Sequence, residues 1–422
     1  MHMAKTSTAP AKPPPGVRAR VDRRLASSLG FAQLGHFLVW GSVPGVLLAV
    51  HLEDLDPGRK EANLALVVGL GALVSTVVQP LWGMASDRTR SRYGKRAPYL
   101  LGGAALGALG LLATALADTV LTVTLAWCVV QAAVTGANGI LVAVLPDRVP
   151  EGVRGIFSAV MGLGTMTGIL GGQLVAAALV PRGRLLPYAV VATVLVTATV
   201  VFVLVNPDKP SPAAQRRAFS FRSLLGLVWV DPRKHPDFAF AFLARLFVLL
   251  GYHTVGAYQL YVLQDHIGLD RAEALRILPR TIVVAMGVML VSLLLSGWLS
   301  DRTGRRKPFL LAAALTIGVG LLMPFLIPSV TGFVLYGAVV GFGFGCYQAL
   351  DAVLVSTVLP SRENAAKDLG VANLASHLPQ ILAPALAGFV VVNAGGYPAL
   401  FLFAGTAALL GALFLLPITS VR

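Results

Sequence analysis

Runs of about 20 mainly apolar residues, the length a helix needs to cross the hydrocarbon core of a bilayer, recur along the whole sequence. Twelve can be marked. The first six lie near 25–50, 62–84, 98–117, 120–145, 155–180 and 187–205. The second six lie near 237–263, 272–299, 308–327, 331–359, 369–392 and 398–417. Each run is long and unbroken, which disfavours the ten-residue alternation of a membrane β-barrel. Pro44, Pro80, Pro379 and Pro384 fall inside runs, as lipid-embedded helices tolerate. Composition agrees: only 13% of the 422 residues are charged and 56% are hydrophobic. A soluble domain carries about 25% charged residues, so neither a soluble enzyme nor a disordered chain fits. The expected fold is an all-α polytopic membrane protein.

The net charge of +15 is explained by where the cations lie. Twelve spans put both termini on one side, and 26 of the 34 Lys and Arg fall on that side. The opposite side holds Arg59, Lys60, Arg182, Arg184 and Arg271, while Arg245, Arg276 and Arg280 lie within or at the rim of spans. Positive loops stay in the cytoplasm, so the expected topology has both termini cytoplasmic, in the cell (inner or plasma) membrane. The charge reflects topology, and no nucleic-acid partner is expected. Residues 1–24, rich in Ala, Pro and Lys, read as a disordered cytoplasmic tail. The first apolar run is too long for a cleaved leader. The polar stretch 206–236 reads as a central cytoplasmic loop between bundles at 25–205 and 237–417, and 418–422 as a second short tail.

The two halves repeat one another. Gly83-Met-Ala-Ser-Asp87-Arg88-Thr89 returns as Gly297-Trp-Leu-Ser-Asp301-Arg302-Thr303, each after the second span of its half. Each copy runs into a basic cluster, with Arg92, Lys95 and Arg96 in the first and Arg305, Arg306 and Lys307 in the second. At the end of the fourth spans, Leu145-Pro146-Asp147-Arg148 matches Leu359-Pro360-Ser361-Arg362, and Arg154-Gly155 answers Asp368-Leu369-Gly370. Two pseudo-symmetric six-helix bundles follow. A doubled unit of this kind is a common transporter construction, with the substrate site at the repeat interface near the midplane.

A Gly-x-x-x-Asp-Arg turn followed by a basic cluster, between spans two and three and again between eight and nine, resembles the signature loop of the major facilitator superfamily. More narrowly, Gln79-Pro80-Leu81-Trp82-Gly83 running on to Arg90-Ser91-Arg92-Tyr93-Gly94-Lys95-Arg96 looks like the sucrose/proton symporters and their glycoside-carrier relatives. Those carriers also show the arrangement of Asp147 and Arg154. The chain departs from them at Lys95 and Ala97, where they tend to keep arginines.

Gly83 and Gly297 permit close helix approach, and Asp87 and Asp301 sit where a carboxylate could cap a neighbouring helix N-terminus. The resemblance implies a cytoplasmic gate in which Asp87 faces the start of span eleven and Asp301 the start of span five. The gating set is then Gly83, Asp87, Arg88, Arg92, Arg96, Asp147, Arg154, Gly297, Asp301, Arg302, Arg305 and Arg306.

Polar residues inside spans are costly in lipid and usually functional. Span one offers Gln33, His36 and Trp40, and span four Gln131, Thr135 and Asn138. Span seven offers Arg245, Tyr252, His253 and Gln259, and span ten Phe344, Tyr347, Gln348 and Asp351. In the resembled fold these four helices line the cavity. Expected substrate contacts are Gln33, His36, Trp40, Gln131, Asn138, Tyr252, His253, Gln259, Tyr347 and Gln348. Asp351 is the one acidic residue in the interior of a span. It is the expected proton-coupling group, with Arg245 and His253 as its cations.

The sequence holds no Gly-rich phosphate loop, nucleophile elbow or paired-Cys metal set. No enzyme activity, cofactor or metal is expected. The favoured reading is a monomeric secondary transporter that moves a small polar solute, such as a sugar or glycoside, in symport with protons. The alternatives are a proton-coupled drug or natural-product efflux antiporter and, from another class, a non-transporting membrane receptor. An exporter of apolar drugs would carry more aromatic and Met residues in its cavity.

Overall fold

A computed structural model describes residues 21–89, 91–208, 232–358 and 365–420, without the side chains of residues 301, 352, 353, 356 and 365–370. The tail through residue 20, Arg90, most of the central loop, the Leu359–Arg362 motif, residues 421–422 and the Asp301 side chain lie outside that description.

Among the described residues, twelve helices are long and apolar enough to cross a membrane. The first half contains α1 (Arg23–Leu55), α2 (Pro57–Arg88), α3 (Ala97–Leu116), α4 (Val120–Arg148), α5 (Glu151–Arg182) and α6 (Leu185–Val205). The second half contains α7 (Pro236–Gly256), α8 (Arg271–Thr303), α9 (Lys307–Leu326), α10 (Val330–Val358), α11 (Ala365–Asn393) and α12 (Gly396–Leu415). Local chemistry sets several ends. The Asp22 carboxylate accepts from the Arg24 and Leu25 N–H groups, and Thr119 and Thr122 form a reciprocal capping box, satisfying amides that have no helical partner. Asp270 does the same for α8, and Gly304, at φ +65°, ends it.

The first helix of each half carries a π turn. In α1 it spans Val43–Leu47 around Pro44, whose missing N–H and ring loosen the regular ladder. In the second half the span expected over 237–263 is broken. Helix α7 stops at Gly256, a short turn follows at Gln259–Tyr261, and a π turn at Val262–His266 completes the crossing. Gln259 therefore sits on a broken segment that can aim its side chain inward.

Packing follows the repeat. In the first half α1 packs on α5 and α6, α4 on α2 and α3, and α3 on α6. In the second half α7 packs on α11 and α12, α10 on α8 and α9, and α9 on α12. Across the halves, α2 meets α11 and α5 meets α8. Every pair has its image six helices on.

Small residues permit the tightest crossings. Gly164, Gly168 and Gly172 lie one turn apart on α5, and a Cβ at any of them would run into α1 backbone at Gly30, Leu34 or Leu38. On α10, Gly341 and Gly345 play the same part against α8 backbone at Ala285 and Met289, and Gly337 against the Thr281 side chain.

The face that carries the start of α1 and the end of α12 is called the terminal face, and the other the distal face. On the terminal face, Asn206 at the end of α6 donates to Ser28 of α1 at 2.7 Å. There too the Thr419 and Ser420 N–H groups donate to Asp237 at the start of α7.

Candidate functional site

A cavity of about 430 Å³ lies between the halves, walled by α5, α7, α8, α10 and the broken segment after α7. Its size falls within the roughly 300–1,000 Å³ range of small-molecule pockets. The first half contributes Gly162, Thr165, Met166 and Ile169; the second contributes Tyr252, His253, Gln259, Met286, Met289, Tyr336, Phe344 and Gln348. The rings of Tyr252 and Phe344 are stacked, with centroids 3.9 Å apart and planes 7° from parallel, and His253 meets Tyr252 edge-on at 5.2 Å. Gln259 Nε2 lies 3.5 Å from the Tyr336 hydroxyl.

Of the expected substrate contacts, Tyr252, His253, Gln259 and Gln348 line this cavity. The residues of the first half do not. Gln33 is buried and donates to Thr165 Oγ1 at 3.3 Å, standing behind a lining residue. Trp40 Nε1 donates to Gln131 Oε1 at 3.2 Å, joining α1 to α4. His36 is fully buried, its Nδ1 2.9 Å from the Ala32 carbonyl. Asn138 is half-buried on α4. Tyr347 is fully buried, one turn before Asp351. The physical reason is rotational: three or four polar residues define a helix stripe, but the stripe's direction is set by packing. Here part of it turns toward neighbouring helices.

The expected ion pair is present. Arg245 Nη2 of α7 lies 2.9 Å from Asp351 Oδ2 of α10, with side chains 16% and 6% exposed. Arg245 Nη1 also points at the Ala372 carbonyl of α11 at 3.4 Å. The pairing expected of His253 is corrected: that imidazole lies eight residues further along α7, in the cavity wall. His377 of α11 is the imidazole near Arg245. Asp351 is three residues beyond the lining residue Gln348 on the same helix.

On the terminal face the basic turn of the first half closes on its own bundle. Arg96 is buried and reaches Asp147 Oδ2 through Nη2 at 2.9 Å and Nε at 3.1 Å, and Asp87 Oδ1 at 3.1 Å. Lys95 adds a contact to Asp147 at 3.0 Å. The Arg96 N–H donates to Asp208 Oδ2 at 2.8 Å, and Arg148 holds Asp208 Oδ1 at 2.6 Å. Gly94 turns this loop at φ +84°, and a Cβ there would run into Asp208. Arg154 bonds the Val149 carbonyl at 3.0 Å and faces Glu151, so it does not partner Asp147. Arg92 covers the Tyr93 ring, Arg302 covers the Trp298 ring, and Arg88 and Arg305 are exposed. Arg306 is half-buried beside Lys307, which donates to the Leu416 and Ile418 carbonyls.

Among the described residues, no helix approaches Gly83 or Gly297 closely in this conformation. No described atom lies within 4 Å of a Cβ built at either residue, nor at Gly155 or Gly162 of α5. The ion partners of Asp87 among the described residues belong to its own half, while the side chains at the start of α11 lie outside the description.

The polar contacts that join the halves, among the described residues, cluster at the distal face. Lys60 of α2 bridges Glu53 of α1 at 3.3 Å and Asp265 of the second half at 2.9 Å. Arg271 of α8 binds Glu53 at 2.9 Å and Asp54 at 2.8 Å. The Tyr397 hydroxyl of α12 lies 3.1 Å from Glu61 and 3.0 Å from Asp265. Tyr258 donates to the carbonyls of Glu61 and Pro384, and Tyr261 to that of Ala49. Close by, a Cβ at Gly388 of α11 would meet Ala65 of α2. Reading spans and basic loops misses this cluster. The signal available was the acidic run Glu53-Asp54 beside Lys60, on a side with few cations.

Comparison with known proteins agrees with this architecture. Monocarboxylate transporter 12 of Xenopus laevis is 30% identical over 112 residues, which cover 26% of this chain and 24% of that protein. Matches to curated relatives span between 18% and 27% of those relatives' lengths. Among solved structures, a mutant of nucleoside transporter NupG matches with TM-score 0.74 and 15% identity over 93% of this chain and 99% of that one. The D-xylose-proton symporter matches with TM-score 0.68 and 17% identity over 94% and 97%. At such identities the likeness carries the fold alone. The family model of the Major Facilitator Superfamily matches residues 29–366 and 280–422. With twelve apolar helices in two repeated bundles, this multi-pass membrane protein belongs to the Major Facilitator Superfamily.

Proposed function

We propose that this chain is a proton-coupled secondary transporter working by alternating access, with its terminal face in the cytoplasm. The excess of Lys and Arg in terminal-face loops supports that orientation. The 25–205 and 237–417 bundles act as the two rocking units. The conformation described here has its distal face shut by the Lys60–Asp265 cluster, while no described residue packs against Gly83 or Gly297 at the terminal face. It fits an inward-facing state.

The single observation that carries the coupling reading is the Arg245–Asp351 pair at 2.9 Å, three residues from a cavity-lining glutamine. A buried carboxylate whose cation is borrowed from a different helix can exchange that partner for a proton when the helices move. Breaking the pair without protonation leaves an uncompensated charge in a low-dielectric interior. The asymmetry links conformational change to proton uptake.

The test is flux in proteoliposomes with an imposed pH gradient. Asp351→Asn is expected to abolish uphill accumulation while leaving exchange across the membrane partly intact. Full gradient-driven accumulation by Asp351→Asn would refute the coupling role.

The likeness to the sucrose and glycoside carriers rests on residues at the terminal-face ends of α2, α4 and α5 and in the turn after α2, none of which lines the cavity. Such residues serve conformational change more than ligand choice. The cavity wall itself, rich in Met and aromatic side chains, supports a second reading, efflux of an amphipathic compound.

A further inference from the structure

We infer that the ligand of the central cavity is an uncharged, planar, aromatic small molecule with hydrogen-bonding groups at its rim. This inference deepens the transporter reading and rests on it.

Charge is the first constraint. No Asp, Glu, Lys or Arg belongs to the described wall of the cavity. The nearest buried ions, Arg245 and Asp351, are committed to each other at 2.9 Å. A carboxylate or ammonium ligand entering this space would lose its hydration without gaining a counter-ion, at a cost that is prohibitive in an apolar site.

Shape and softness are the second. Phe344 and Tyr252 form a parallel pair that offers a flat π surface, to which another ring adds by offset stacking. Met166 of α5 and Met286 and Met289 of α8 complete the wall. Their flexible thioethers make favourable contacts with aromatic rings and adapt to irregular outlines.

Hydrogen bonding is the third. Polar groups sit at separated points: Thr165 backed by Gln33 at 3.3 Å, His253, Gln348, and Gln259 beside the Tyr336 hydroxyl. That arrangement suits a ring with a few peripheral donors and acceptors. A free sugar carries a hydroxyl on nearly every carbon, and most would be stranded against Met and aromatic side chains, each at a desolvation cost.

The full chain, purified and reconstituted, can be tested with four probes: coumarin, phenyl β-D-glucoside, methyl β-D-glucoside and coumarin-3-carboxylate. The expected result is thermal stabilisation by coumarin, weaker stabilisation by the phenyl glucoside, whose ring can stack while its sugar hydroxyls lose hydration, and none by the methyl glucoside or the carboxylate. Phe344→Leu keeps an apolar side chain but removes the ring, and should weaken coumarin binding about two- to tenfold. Tyr252→Phe keeps the ring and should leave coumarin affinity near that of the parent. Unliganded melting of each variant checks that it folds. Preference for the methyl glucoside or the carboxylate overturns the inference. So does coumarin affinity indifferent to Phe344→Leu, or no binding of either aromatic probe at millimolar concentration. Gradient-driven flux of methyl glucoside would sink the ligand class and leave the transporter reading standing. Aromatic binding without flux of any probe would do the reverse.

Discussion

The Lys60 ammonium of α2 lies 2.9 Å from the Asp265 carboxylate of the opposite half, and so ties the two bundles together at the distal face. The tie is doubled, because Lys60 also contacts Glu53, which is in turn held by Arg271 from across the interface. Charge-assisted hydrogen bonds of this kind are worth about 1.5–3 kcal/mol each. Three or four of them, partly screened by water, suffice to bias a two-state equilibrium strongly.

Lys60→Met removes the shared cation and keeps the apolar stem. It is expected to shift the population toward distal-open by about ten- to hundredfold. With Cys128 and Cys346 replaced by Ala, a cysteine at Ala65, beside Gly388 on the interface, reports the change. A membrane-impermeant maleimide should label it faster in Lys60→Met; an unaltered rate would show that the cluster does not latch the face.

The Arg245–Asp351 pair invites a double-mutant cycle. Arg245→Gln or Asp351→Asn alone leaves a partner buried without its ion, at a cost of about 3–5 kcal/mol. The double variant leaves no lone charge and should recover most of the melting temperature. It should still fail to accumulate substrate against a gradient. Additive losses of stability in the double variant would mean that the two residues are not energetically coupled.

Arg96 and Lys95 both reach Asp147, but only Arg96 is buried, its side chain 8% exposed against 35% for Lys95. Arg96→Leu should therefore destabilise by about 2–3 kcal/mol and Lys95→Ala by no more than about 1 kcal/mol. Raising the salt concentration should erase the Lys95 effect and spare that of Arg96. Melting curves of both variants at low and high salt make the comparison.

Two glycines separate packing from motion. A side chain at Gly168 meets α1 backbone at Leu34, so Gly168→Val should cost more than the usual 1–3 kcal/mol of overpacking and abolish expression. Gly83 faces open space, so Gly83→Val should melt like the parent. If α2 closes on another helix at the terminal face during the cycle, that variant will transport slowly. Parent-like turnover by Gly83→Val would remove Gly83 from the closing surface.

The terminal-face basic turns show how far a motif reads. Asp87, Lys95, Arg96 and Asp147 are visible as a charged cluster in the sequence, and the fold gathers them as one group. The pairing within the group, Arg96 and Lys95 onto Asp147 with Arg96 also reaching Asp87, is set by the fold, because a carboxylate at a helix end has several cations within reach. Arg154 stands apart from that group and caps carbonyls at the end of α4. The distal cluster was harder to see, since Lys60 and Asp265 stand 205 residues apart and each resembles an ordinary loop charge.

By itself the sequence determined the number of spans, the doubled bundle and the existence of one intramembrane ion pair. Those features follow from one-dimensional quantities: the length of apolar runs, the recurrence of a motif, and the cost of a carboxylate in lipid, which demands a partner on some neighbouring helix. Tertiary structure decided which face each polar stripe presents. Rotating a helix by a few tens of degrees about its axis exchanges cavity for interface and leaves its composition untouched. So Gln131 turns to Trp40 and Gln33 to Thr165, while Tyr252, Phe344 and three methionines form the cavity wall. Glycine stripes such as Gly164, Gly168 and Gly172 fix those rotations, because backbones can approach closely along only one line of each helix.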